Sequence, residues 1–341
     1  MFHMIRDIPS PIELKTAHPL PAHLAKVKAD RDLQILRIFT GEDTRFLLII
    51  GPCSADNENA VCDYVSRLAK VQEEVAEKIL VIPRIYTNKP RTNGQGYKGM
   101  LHQPDPHSAP DIYAGIQAIR RLQLRAISES HLTAADEMLY PENVTYFDDL
   151  LSYHAVGARS VENQSHRLAS SGIDAPVGMK NPTSGDLMVM FNSIMAAQSD
   201  HTFMYREQEV RTTGNPLAHA ILRGSVNRHS ENIPNYHFED LRKTASIYEN
   251  SGLINPAIVV DVNHSNSNKF HFEQPRIAKE IMHSMGYDSS LKRMIKGLMI
   301  ESYLEEGRQD PDGTVYGKSI TDACLGWEDS RRLIHEIAGK L

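Results

Sequence analysis

Eight short apolar runs follow one another along the 341-residue chain, and each ends on or close to a residue able to hold a metal, an anion or a proton. LLIIGPC ends at Cys53, LVIPR at Arg84, LTAADE at Glu137, AVGAR at Arg159, PVGMK at Lys180, AHAILR at Arg223, AIVVDVNH at His264 and KGLMIE at Glu301. Helical patterns lie between them, over 57–77, 111–125, 145–154, 161–171, 186–197, 238–252 and 273–286, the last two closed by Gly252 and Gly286. Strand and helix alternating eight times predict an α/β protein of the (β/α)8 TIM-barrel class. In such a barrel the carboxyl ends of all the strands meet on one face, where the active site lies, so the reactive residues converge there. A doubly wound open sheet shares the alternation but gathers its ligand groups at one switch point, whereas here they are spread over every strand.

Two segments stand outside the repeat. Residues 17–41 place Leu20, Leu24, Val27, Leu36 and Phe39 on one helical face and stop at Gly41. We therefore divide the chain into an N-terminal extension, 1–41, and a catalytic barrel, 42–341, with the extension covering the barrel floor or reaching a neighbouring subunit. The stretch from His201 to Asn215 reads as a hairpin inserted between strands five and six. The formal charge of −6 offers no basic field for nucleic acid or a membrane surface, so anion sites must be local. An odd three cysteines argue against a disulfide scaffold. With neither a signal-like segment nor an apolar run of spanning length, a cytoplasmic protein is expected.

The chemistry sorts into two sets. Arg84, Lys89, Arg91, Arg159, Lys180 and Arg223 fall at or just past the strand ends of an acidic chain. A single loop cation is ordinarily a solvated charge, but six at corresponding places would repel one another unless anionic groups bind among them. The second set is Cys53, His264, Glu301 and Asp322, a thiolate, an imidazole and two carboxylates suited to a divalent transition ion with open positions. Taken singly, the cysteine is equally a small buried hydrophobe and the histidine a hydrogen-bonded one. Closed structural zinc spacings are absent. Cys62 and Cys324, and the histidines at 102, 107, 201 and 219, read as packing or surface groups. The glycines of NGQGYKG lack a following GK[ST], and no G-x-S-x-G elbow occurs.

At this level of detail the chain resembles the metal-dependent, type I 3-deoxy-D-arabino-heptulosonate 7-phosphate (DAHP) synthases of the α subgroup. The resemblance rests on IGPCS (50–54), RIYTNKPRT (84–92), GYKG (96–99), DPH (105–107), GAR (157–159), PVGMKN (176–181), ILRG (221–224), HSNS (264–267) and YGKSITDACLGWED (316–329), in one order from about residue 40 to the C-terminus. It implies condensation of phosphoenolpyruvate with erythrose 4-phosphate, the first step of the shikimate pathway, in a homodimer or homotetramer. Arg84, Lys89, Arg159 with Ala158, Lys180 and Arg223 are then expected around phosphoenolpyruvate, and Lys89, Pro90, Arg91 and Thr92 at the aldose phosphate. The implied ligands of Mn²⁺, Fe²⁺, Co²⁺ or Zn²⁺ are Cys53, His264, Glu301 and Asp322. Lys89 is the expected proton donor, with Glu137 orienting or handling protons and His264 counted in the catalytic set as well. A sibling enzyme using arabinose 5-phosphate, disfavoured by KPRT and DACLGWED, and a non-catalytic phosphometabolite-binding barrel are the alternatives.

Departures from the family pattern fall on regulation. The hairpin between His201 and Asn215 is shorter than in the feedback-regulated pattern, and Met138, Tyr140, Val144, Asp174 and Tyr205 replace types typical of its aromatic amino-acid pocket. The resemblance thus implies weak, absent or altered inhibition by aromatic amino acids.

Overall fold

The computed structural model describes residues 1–91 and 94–341. Eight parallel strands form the barrel: β1 (Phe46–Gly51), β2 (Ile79–Pro83), β3 (Ala134–Glu137), β4 (Leu151–Val156), β5 (Val177–Lys180), β6 (His219–Leu222), β7 (Ile258–Asp261) and β8 (Ile295–Glu301). They pair in the order β2-β1-β8-β7-β6-β5-β4-β3. The remaining gap is bridged where Arg84, just past β2, pairs with Ala135 of β3 and the Ile85 N–H donates to the Ala135 carbonyl at 2.9 Å.

Period-2 alternation divides seven of the eight strands between two cores, and on β5 the inward positions are Gly178 and Lys180. Leu48, Ile50, Val81, Val177, Val260 and Leu298 face the helices and join the outer core. Leu47, Ile49, Leu80, Ile82, Ala135, Tyr153, Ala155, Ile221, Val259 and Met299 fill the barrel interior. The interior is a packed layer of side chains, as this architecture requires.

The floor is closed from below by the helix Ala22–Thr40, which stops at Gly41 in the left-handed conformation, φ 84°. Its Ile35, Ile38 and Phe39 belong to the interior core. Phe39 stacks on Tyr153 and sits 4.5 Å, centroid to centroid, from His219. Inserting one aromatic side chain into the lower end of the barrel fills the space between the strand starts. The hairpin expected near 201–215 is present as His201–Tyr205 paired antiparallel with Gln208–Thr212.

One expected element is corrected. The pattern over 145–154 is not a helix: a 3-10 turn, Pro141–Tyr146, is followed by a turn over 147–150 and then by β4, which begins at Leu151. Apolar residues at 146, 147, 150 and 151 match helical spacing, but β4 is buried on both faces, and a two-sided buried strand shows no alternation to betray it. The other helical segments form, among them Glu58–Val75, Ile112–Ser130, Gln164–Ser170, Leu187–Gln198, Phe238–Ser251 and Gln274–Tyr287.

Candidate active site

The same alternation that fills the barrel builds the site above it. Continuing the inward rows past the last apolar layer brings Arg84, Glu137, Arg223 and Glu301 to the mouth one step on, Cys53 and Arg159 two steps on, past Gly51 and Gly157, and Lys180 after the inward Gly178. Arg84, Lys89, Glu137, Ala158, Arg159, Lys180, Arg223, His264 and Asp322 line one cavity there, together with Pro90, Arg91 and Lys269. Thr92, expected at the aldose phosphate, lies outside the described residues.

Ligand atoms of Cys53, Glu301 and Asp322 converge within 4.8 Å of one another. Cys53 Sγ accepts the Asp322 N–H at 3.4 Å and lies 2.9 Å from Lys89 Nζ. Burial pushes the Cys53 thiol up, and Glu301 adds to this against the pull of Lys89, so its thiolate needs a cation beside it. Glu301 Oε1 pairs with Arg84 at 2.9 Å and Oε2 accepts from Asn263 Nδ2 at 2.6 Å. Burial works to raise this carboxyl, but Arg84, His264 and Lys89 together hold it below the ordinary range. Burial likewise opposes ionisation of Asp322, and Lys89, Lys269 and His264 overcome it. His264 stands beside this trio: its Nε2 is 3.8 Å from Glu301 Oε1, and its Nδ1 is 2.8 Å from Asp261.

The cations are held in ways that leave donors free. Arg84 is 1% exposed, its guanidinium stacked 3.6 Å over the Tyr86 ring, with one terminal nitrogen donating to the Pro52 and Cys53 carbonyls. Its Nε has no partner among the described residues. Lys180, 3% exposed, pairs with Asp261 at 3.1 Å. Arg223 donates to Ser265 Oγ at 3.2 Å; burial lowers its pKa, with Asp261 opposing. Arg159 is exposed at the rim and has no hydrogen-bond or ion-pair partner among the described residues. Lys89 also donates to the Cys53 carbonyl at 3.1 Å; burial would lower its pKa, but Cys53 and Glu301 raise it above the usual lysine range. The Glu137 carboxylate has no partner among the described residues and lies where only a glycine fits opposite. A Cβ at Gly157 would sit 2.4 Å from Glu137 Oε1.

Sequence reasoning overlooked three groups here. Asp261 ends β7 inside an apolar run and is fully buried. Its inward parity with Val259 was the available signal. Asp136, next to Glu137, accepts from the Thr87 backbone and hydroxyl and from the Glu137 N–H; burial raises it to about 7. It roots the segment leading into KPRT. Lys269 pairs with Asp322 at 3.1 Å, brought back by a turn in which its N–H donates to the His264 carbonyl.

The DAHP synthetase I family profile matches residues 18–335. This chain belongs to that family. It is 36% identical over 337 residues, 96% of its length and 91% of the relative's, to the Tyr-sensitive phospho-2-dehydro-3-deoxyheptonate aldolase of Escherichia coli K12. The Trp-sensitive enzyme of the same strain is 34% identical over 342 residues, covering 98% of this chain and 95% of the relative. A solved phospho-2-dehydro-3-deoxyheptonate aldolase from Francisella tularensis superposes with a TM-score of 0.92 at 30% identity, covering 100% of this chain and 98% of that one. Phospho-2-dehydro-3-deoxyheptonate aldolase is DAHP synthase, so the relatives are transferases that open aromatic biosynthesis, and the barrel is the family's fold. Among the described residues no helix is long and apolar enough to cross a membrane.

Proposed function

We propose that this family member condenses phosphoenolpyruvate with erythrose 4-phosphate and water, giving DAHP and phosphate, at a divalent metal ion. The observation that carries the reading is a cavity lined by incompletely paired cations, with Asp322 and His264 in its wall and the buried Cys53 and Glu301 directly behind them, within ligand distance of Asp322. The thiol and two carboxylates of Cys53, Glu301 and Asp322, with His264 as a fourth donor, fit Mn²⁺, Fe²⁺, Co²⁺ or Zn²⁺. They fit on chemistry as well as spacing, because a buried thiol disfavours ionisation unless a positive charge stands against it. When bound, such an ion supplies Lewis-acid polarisation of the aldehyde oxygen.

The protein's own groups do the rest. Arg84, Arg159, Lys180 and Arg223 bind the phosphate and carboxylate of phosphoenolpyruvate, and Ala158 and Gly157 leave room beside them. Lys89, Pro90, Arg91 and Thr92 take the aldose phosphate. C3 of the enolpyruvate attacks the aldehyde carbon, and Lys89 gives its proton to the developing alkoxide. Glu137, unpaired and facing the same space, handles the proton of the water that adds at C2 before phosphate leaves. We read residues 1–41 as an extension closing the floor of a catalytic barrel formed by 42–341. Assembly into a homodimer or homotetramer is supported by Met1, Phe2, Met4 and Ile5, all exposed at the start of that extension.

Regulation is read as weak or altered. Val144, Asp174 and Tyr205, three of the five departures from the family's aromatic pocket, line a cavity between the extension and the hairpin. An activity panel with phenylalanine, tyrosine and tryptophan at millimolar concentration tests this, and strong inhibition by phenylalanine refutes it. The reaction itself is tested by following the enolpyruvate absorbance with both substrates present, with and without EDTA. EDTA-sensitive consumption is expected; no consumption, or consumption indifferent to EDTA, removes the reading.

A further inference from the structure

β7 stands apart from its neighbours in what its inward row delivers. Beyond Val259 the next inward residue is Asp261, with 0% exposure, where the other strands end on a cation, on the thiol or on the carboxylates of the mouth. Asp261 Oδ2 lies 3.1 Å from Lys180 Nζ and 2.8 Å from His264 Nδ1, and Oδ1 accepts the Asn263 N–H at 3.0 Å. One carboxylate therefore serves a cation of the anion cradle and the imidazole of the donor set.

Each contact has a directional consequence. His264 Nδ1 approaches the Asp261 carboxylate at ion-pair distance without the alignment of a hydrogen bond, and this electrostatic pairing leaves Nε2, the atom turned toward Glu301, as the ligand atom. The backbone of His264 is held at φ 50°, a conformation that non-glycine residues keep only when surrounding contacts enforce it. Lys180 is buried at the end of β5, and a buried ammonium needs a counter-charge to offset its lost hydration. Asp261 fixes that ammonium while leaving its other donors to the cavity.

We infer that Asp261 is a positioning residue that orients the metal-side imidazole and the phosphoenolpyruvate-side ammonium together, so that the two halves of the site are joined through one carboxylate. The inference rests on the proposed reaction and adds a residue that none of its steps uses.

The test is equilibrium binding to the full-length protein, with Mn²⁺ followed by chelator competition and phosphoenolpyruvate by calorimetry. Asp261→Asn keeps the size and removes the charge. It is expected to weaken Mn²⁺ roughly ten- to hundredfold, the range seen when a ligand histidine loses its outer partner. It should weaken phosphoenolpyruvate as well, leave the KM for erythrose 4-phosphate within about twofold, and leave the circular dichroism unchanged. In a Lys180→Met background its effect on phosphoenolpyruvate should largely vanish, because residues acting through one contact are not additive, while its effect on Mn²⁺ persists. Should Asp261→Asn not fold, Lys180→Met alone still decides. It should change Mn²⁺ affinity severalfold by freeing Asp261 for His264, whereas Arg159→Met, which removes a cradle cation with no contact to Asp261, should not. Unchanged Mn²⁺ affinity in Lys180→Met, or a folded Asp261→Asn that binds both ligands like the wild type, overturns the inference. A wild-type protein that binds neither ligand overturns the proposed reaction itself, and is seen before any variant is made.

Discussion

The two ends of the barrel bury polar groups under opposite rules. At the floor, Tyr153 Oη and His219 Nε2 share a hydrogen bond of 2.7 Å, and His219 Nδ1 is 2.8 Å from the Leu217 carbonyl oxygen, with Phe39 packed over both rings. Both imidazole nitrogens are used, and the charge is gone: burial lowers His219 to about 4. At the mouth, Arg84 keeps an unused Nε, Arg159 and Glu137 have no partner among the described residues, and charges outnumber pairings. Satisfied polar groups stabilise a fold; unsatisfied ones, held in place by it, are available to a substrate. The same strands deliver both: His219 and Arg223 lie four residues apart on one inward row, Tyr153 and Arg159 six apart on another.

That contrast can be broken from either end. The largest effect is expected at the mouth. Cys53→Ala removes a donor and little volume, and turnover should fall by about a thousandfold or more, the several kcal/mol a Lewis-acid ion supplies. Thermal melting without metal should change little; a variant that keeps EDTA-sensitive turnover would place the ion elsewhere. At the floor, Phe39→Ala should cost roughly 3 kcal/mol of stability through an interior cavity, measured by denaturant unfolding. The KM for either substrate should stay put in the folded fraction, and a marked rise in KM would mean that the ends are not independent.

A smaller effect is set by pH. His219 titrates at about 4 when folded and near 6.5 unfolded, so the unfolded chain binds the proton first as pH falls. Stability is then fully present above the unfolded value and is lost as pH drops from there toward 4, by roughly 2 kcal/mol between pH 7 and 5. His154, also lowered to about 4 by burial, with Lys28 adding, acts in the same direction. His219→Gln should flatten that limb of a stability–pH curve, and an unchanged slope would count against the buried neutral state. The smallest effect is Tyr153→Phe, expected to cost about 1 kcal/mol by stranding His219 Nε2. Refolding of the two rings around water would show as no loss at all.

Most of the residues that sequence reasoning found share one property, while Lys89 and Asp322 lie off the strand ends. Cys53, Arg84, Glu137, Lys180 and Glu301 are conspicuous polar residues after apolar runs, and a strand end is what such a break signals. The alternation then carries them inward, so fold and site were legible together. Asp261 was hidden because AIVVDVNH reads as one run ending at His264, and nothing local says that the chain leaves the strand three residues earlier. Lys269 reaches the mouth only through a turn after β7, and Asp136 matters for what it holds in another strand's loop. Long-range contacts of this kind leave no spacing to count. The missed start of β4 has the same origin: its inward Tyr153 and Ala155 and its outward Leu151 and Val156 are all buried, so its composition is that of any core segment.

That short 3-10 turn before β4 has a wider meaning. A barrel ordinarily sheathes each strand pair with a full helix; between β3 and β4 this one spends six residues, Pro141–Tyr146, and the space beside them becomes the cavity edged by Val144, Thr145 and Tyr205. Residues there face neither the interior row nor the mouth. The sequence at that place can therefore drift toward one small-molecule signal or another, or toward none, while the charges that perform the condensation stay as they are.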